Sequence, residues 1–372
     1  MLRHRLHSWH CFLRDIFGIK PPKTSKALAS AEANIDHTSL KVRYQHIALA
    51  DKSHSCVLYR IIGNDLPPRH ESGQSLRNLK FILEHESPLD HCQKIFLVNR
   101  MVDPIVEKET LALLESSGAE YRHIPFCSEE YSKIPLDYSC LPSGKRGYLD
   151  SKAFGRLSER YKTRFLVAVN RLRILYVMNN NGARNFAIDD GVKRAKWVLP
   201  FDGNCFFPAD AWSEVSAALQ EKPWLRHFAV PMARLHNNKD LLSPNFRPEA
   251  EEEPQLIFRS DTKSRFNADF PYGRFPKIEM FWHLGIPGNW SYTVEKAWDP
   301  PSRELSGEAG QFGVAGWVAR LYSGKAQLEA AGSRMGAVRG DARRTAMLQL
   351  FARLDQDYNS NCEFQVFLNR MS

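Results

Sequence analysis

The run Asn179-Asn180-Asn181-Gly182-Ala183-Arg184-Asn185, followed after an apolar stretch by Asp202-Gly203-Asn204, has residue types and spacing that suit chemistry on a phosphate. The first part reads as a strand ending in a polar glycine turn, with a helix beginning near Asn185. A helix N-terminus presents free N–H groups and partial positive charge to an anion. Arg184 adds a two-pronged donor for phosphate oxygens. Asp202 follows the apolar run 197–201 (WVLPF). A carboxylate at a strand end can hold Mg²⁺ or Mn²⁺, with a diphosphate supplying other ligands. Taken singly, the glycine segment reads as a helix cap and Asp202 as a turn residue. Together, inside one strand–helix–strand frame, they point to a ligand site.

The elements that must position these residues follow from the apolar pattern. Residues 56–62 (CVLYRII) form a continuous apolar run closed by Gly63-Asn64-Asp65, the pattern of a strand buried on both faces. Leu76, Leu79, Ile82 and Leu83 recur at helical spacing, and residues 94–99 (KIFLVN) make a second strand. Asp103-Pro104 reads as a cap and first helical position, Gly118 as the helix stop, and 120–124 as a third strand. Alternating strand and helix imply a parallel sheet with right-handed crossovers, whose ligands sit beyond the carboxyl ends of the strands. That rule directs attention to 63–65 and 99–103. A loop and a long basic helix follow over 127–173, and 174–178 (ILYVM) reads as a strand. Further strands are expected at 225–235 and 255–259, helix mixed with turns at 274–290, and a surface helix over 340–358. Residues 20–55 read as a linker, and the acidic run 249–253 as a solvated loop.

The segment 179–204 resembles the family 2-like GT-A glycosyltransferases, whose signature runs N-x-G-x-x-x-A-R-N-x-G/A-I, an apolar strand, then D-x-D. The resemblance implies an open, mostly parallel Rossmann-like α/β sheet with flanking helices and a helical C-terminal part. It implies a nucleotide-diphospho-sugar donor whose diphosphate is bridged by Mn²⁺ or Mg²⁺, and a glycan, lipid or protein acceptor. Asp202 matches the first acid of D-x-D, and Asn204 stands where the second acid would be. Gly182, Arg184 and Asn185 fall on the diphosphate side. Asn64 and Asp65 match the polar end of the first strand, which seats the base, and Asn99 and Asp103 fall near the turn that contacts base or ribose. The implied division is 1–55 as a basic N-terminal segment, 56–215 as the donor-binding half and 216–372 as the acceptor-binding half. An inverting transfer needs a base to take the acceptor's proton. The family keeps it on a helix after D-x-D, where Glu279 is the counterpart and Asp269 the reserve. His236 and His283 are candidates for a later metal ligand.

Lys and Arg total 51 against 42 Asp and Glu, a net charge of +9. Part of the excess lies in 145–173, which also holds Tyr148, Phe154, Tyr161 and Phe165. Bases interleaved with aromatics would suit nucleic acid if the rings were exposed, and a helix with a buried side if they were not. A nucleotidyltransferase would also pair a Rossmann-like sheet with a metal carboxylate, and a non-catalytic relative of the transferases would be consistent with Asn204 in place of the second acid. The seven scattered cysteines form no CxxC pair, which favours free thiols and a reducing, cytoplasmic setting. Leu2, Leu6, Trp9, Leu13 and Ile16 make an apolar helical stripe beside Arg3, Arg5 and Arg14. Such a helix can lie on a membrane surface or pack on the protein's own body.

Overall fold

The computed structural model describes residues 23–47, 54–142, 144–243, 246–292, 300–322 and 333–358. The N-terminal stripe at 2–16 lies outside them. Among the described residues, nine strands form one sheet: β1 (His54–Ile62), β2 (Cys92–Asn99), β3 (Tyr121–Ile124), β4 (Ala195–Asp202), β5 (Cys205–Phe206), β6 (His227–Arg234), β7 (Glu252–Arg259), β8 (Phe312–Val314) and β9 (Val318–Arg320). The order is β3-β2-β1-β4-β7-β6-β9-β5, with β8 also on β6. The first four strands run parallel. β7 is antiparallel to both β4 and β6, and β9 is parallel to β6. The carboxyl ends of β1, β4, β6 and β9 therefore share one edge of the sheet, and β7 begins there. The chain is an α/β protein with a Rossmann-like, mostly parallel sheet, as its strand pattern predicts.

The two-sided burial of β1 has a direct cause in its sequence. Alternate side chains point to opposite faces of a strand. Leu58 and Ile62 join one apolar layer with Leu199, Phe201 and the Gln74–His85 and Ala209–Glu221 helices. Val57 and Tyr59 join the other, with Ala183, Ala187 and Val198, under the Asn180–Gly191 helix. Gly191 is where that helix comes closest. A Cβ there would fall 2.5 Å from a Val198 methyl, so only glycine lets the helix settle on β4.

Several segments depart from the sequence reading: the acidic run expected as a loop ends in β7, whose first residues are Glu252 and Glu253, and the expected surface helix buries Met347, Phe351 and Leu354. Residues 174–178 are helix, the end of Arg171–Met178, and not a strand. Arg173, Ile174, Val177 and Met178 are buried, a three-to-four-residue recurrence that marks one helical face. Asn179, at φ 43°, ends this helix and opens the next, so the polar run is a corner between two helices. Its left-handed backbone suits Asn, and its Nδ2 donates to Asn99 Oδ1 at 2.8 Å. The expected linker contains the helices Thr24–Glu32 and His37–Tyr44. Leu28 anchors the first of them in a core with Ala229, Phe258 and Phe281.

The basic stretch has its buried side after all. Phe154 and Phe165 pack edge-on with Tyr148 and join the core beneath the Ser333–Tyr358 helix, leaving only Tyr161 well exposed. This removes the stacking surface that a nucleic-acid reading needs. The five described cysteines, at 56, 92, 127, 140 and 205, are free thiols. No helix among the described residues is long and apolar enough to cross a membrane.

Candidate functional site

A cavity of about 450 Å³ opens at the shared edge of the sheet. Its walls take Asn64 and Asp65 from the end of β1, Asp202 and Asn204 from the end of β4, Arg234 from β6 and Arg320 from β9. Glu252 and Glu253, at the start of β7, complete the strand contribution. Lys277 reaches in from the turn before the Ile278–Leu284 helix, and Arg184 from the Asn180–Gly191 helix.

Arg184 and Asp202 meet directly. The Arg184 side chain is almost fully buried; its Nη2 donates to Asp202 Oδ1 at 2.7 Å and its Nη1 to Asn181 Oδ1 at 2.8 Å. The second Asp202 oxygen accepts from Gln255 Nε2 at 3.0 Å and Lys277 Nζ at 3.4 Å. Burial raises the Asp202 pKa, but the charges of Lys277 and Arg184 outweigh it, holding the carboxyl well below the usual range. Lys277 also lies 3.2 Å from Glu253, and Glu252 lies 2.6 Å from Arg234. The wall is thus a lattice of alternating charges, with Arg184 Nε buried and lacking a hydrogen-bond partner.

This donor set does not fit a resident Mg²⁺ or Mn²⁺. A divalent ion needs open carboxylate oxygens, and both oxygens of Asp202 are engaged by cations or an amide. Asn204 offers only a neutral side chain. Among the described residues no group of three or more His, Cys, Asp or Glu converges to hold a metal. A metal at Asp202 would first have to displace Lys277 and Arg184. The positive charge beside Asp202 is that of Arg184 and Lys277.

Asn64 and Asp65 line the cavity and also build it. Asn64 Nδ2 donates to Arg100 O at 2.8 Å, and its Oδ1 accepts from Val102 N at 2.8 Å, pinning the turn after β2. Asp65 accepts from Ser75 N at 3.0 Å and Ser75 Oγ at 2.6 Å. It caps the Gln74–His85 helix, whose own N-cap, Gly73, has no side chain to do so. Burial raises the Asp65 pKa, in part opposed by Ser75.

The remaining sequence candidates stand elsewhere. Glu279 is fully buried behind the wall, both oxygens held at 2.7 Å by the Arg303 guanidinium, and it does not line the cavity. The helix carrying it turns Lys277 and Ile278 toward the cavity and Glu279 away. Asp269 is an exposed turn residue outside the cavity lining. Asp103 is an N-cap, accepting from Ile105 N and Val106 N, and does not reach the cavity. Asn185 pins the backbone of Phe266 from both sides and Gly182 packs on the Asn179 side chain. Both support the site from outside its lining. His236 and His283 do not line it either.

Lys277, Arg234, Arg320 and Glu252 were missed by the sequence reading. The strand-end rule would have found the two arginines, the last residues of β6 and β9. Lys277 carries no local signal, because its position depends on a turn packed against β7.

No family model matches the chain, and no curated protein matches it. Among solved structures it is similar to one described as the crystal structure of S. aureus TarS, at 10% identity and a TM-score of 0.33. That similarity covers 84% of this chain and 44% of the other, so the chain spans less than half the length of that neighbour.

Proposed function

We propose that this chain is a glycosyltransferase that binds a nucleotide-diphospho-sugar at the carboxyl edge of its sheet. The observation that carries the reading is the convergence of Arg184 and Asp202. They come from the two halves of the 179–204 segment and meet at 2.7 Å on the cavity wall. The donor diphosphate would face Arg184 and Lys277, where charge-assisted hydrogen bonds in a partly dry site are strong. Asp202 would hold Arg184 in place and, with Glu253, would hold Lys277. Asn64 and Asp65 would border the base. A divalent ion is no part of this reading, since the donor set does not fit one. Developing charge on the leaving diphosphate would be met by preorganised cations, a principal source of transition-state stabilisation. Thermal shift with a panel of nucleotide-sugars tests the reading. At least one should stabilise the protein clearly more than its nucleoside monophosphate does. A panel in which no member stabilises it would overturn the reading.

A further inference from the structure

A second cavity, of about 150 Å³, lies beside the first and shares Tyr272, Gly273 and Arg343 with it. Arg164, Arg171, Arg274, Arg343 and Arg344 line it, with no Asp or Glu among its described lining residues. They come from the 159–169 helix, the start of the 171–178 helix, the 271–274 turn and the C-terminal helix. Two of them are paired outward: Arg171 with Asp137 at 3.0 Å, and Arg344 with Asp341. Arg164 and Arg343 make no ion pair among the described residues; each lies over a ring, Tyr161 and Tyr272 respectively. The Nε atoms of Arg343 and Arg344 are buried without a hydrogen-bond partner.

Arg164 and Arg343 bring charge without a described counter-ion to so small a space, and buried donors lacking a hydrogen bond carry a desolvation cost. An oxyanion would relieve both, because arginine forks match carboxylate and phosphate oxygens. Val167, Ile174 and Met347 give the cavity an apolar side for the body of such a molecule. Gly273 keeps the two cavities adjacent. At φ 85° its backbone favours glycine, and a Cβ there would fall 2.9 Å from Arg343 Cδ.

We infer that this second cavity seats the phosphate or carboxylate group of an anionic acceptor, presenting the rest of the acceptor to the donor cavity. The assignment of an acceptor rests on the proposed transferase function; the anion site itself does not. The test titrates wild-type protein with glucose 1-phosphate, glucuronate, glucose and inorganic phosphate, alone and with the donor cavity saturated by a nucleoside diphosphate. Both anionic sugars should bind, glucose should not, and inorganic phosphate should bind more weakly than glucose 1-phosphate. Binding should persist in the saturated protein. The variant Arg164→Gln/Arg344→Gln should weaken both anionic sugars at least about tenfold and leave nucleoside diphosphate affinity unchanged. Displacement of the sugars by nucleoside diphosphate, or equal binding of glucose or inorganic phosphate, would overturn the assignment. So would an unaltered affinity in the variant. The wild-type competition decides the matter even if the variant does not fold. Failure of nucleoside diphosphates to bind, with the anionic sugars still bound, would count against the donor reading alone.

Discussion

Replacing Glu279 with Gln separates two roles that the sequence alone confuses. In the structure its carboxylate is fully buried and paired at 2.7 Å with Arg303, whose side chain is 32% exposed. Removing one partner of a buried pair costs about 3–5 kcal/mol, because the other charge is left uncompensated. Water reaches Arg303, so screening and rehydration reduce this to about 2 kcal/mol. Unfolding entropy of ~2.1 cal/mol/K per residue gives ~0.8 kcal/mol/K for this chain, so the melting temperature should fall by about 2–3 °C. Turnover per folded molecule, measured with whichever nucleotide-sugar stabilises the protein, should stay within about twofold. A general base would behave in the opposite way, losing roughly 10²–10⁴-fold in rate with its stability intact. Calorimetric melting and initial rates on the same preparation give both numbers. Intact stability with lost turnover would refute the burial argument and return Glu279 to catalysis.

Further outcomes follow from the same structure. Asp103→Ala should lower stability by about 1 kcal/mol, the usual worth of an N-cap, without changing nucleoside diphosphate affinity; a loss of affinity in titration would restore its donor role. His227 is fully buried, and burial is the main cause that lowers its pKa to about 4. The unfolded chain takes up this proton near the ordinary 6.5, so the stability it contributes is full above that pH and is lost as pH falls toward 4. Urea unfolding should therefore show a loss of about 2 kcal/mol between pH 7 and 5 from this residue, a slope that His227→Gln should flatten; an equal slope in both proteins would contradict it. Glu308 adds a second loss at lower pH: hydrogen bonds from Ser264 and Thr262 outweigh its burial and hold its carboxyl near 2, below the ordinary 4.5. Asp202→Asn should destabilise the protein measurably by calorimetry, since Arg184 and Lys277, both nearly buried, lose their shared counter-charge; an unchanged melting temperature would show that water or Glu253 compensates.

The sheet was legible where apolar runs were continuous. β1, β2 and β4 are buried on both faces, and their ends mark the edge where ligands collect. The 174–178 run was misread because five apolar residues satisfy a buried strand and a buried helix equally. Its helical face becomes visible only when Arg173 is included, buried through its pair with Asp355, 182 positions away. Arg184 and Asp202 were found because local sequence puts each at the mouth of an element. Glu279 lies away from the cavity lining: sequence gives the helix but not the side that faces the cavity. That side is set by Arg303, 24 positions later. Lys277 and the second arginine-lined cavity stayed hidden because each is assembled by packing between distant segments.

In the proposed donor site, side-chain cations, Arg184 and Lys277, would hold a nucleotide diphosphate at the carboxyl edge of the sheet. Calorimetric titration of UDP, GDP, ADP, CDP and TDP into wild-type and Lys277→Gln protein, each with and without EDTA, tests it most directly. At least one nucleotide should bind the wild type equally well in EDTA, and at least about tenfold more weakly when Lys277 is lost. Binding that vanishes in EDTA and ignores the loss of Lys277 would contradict it.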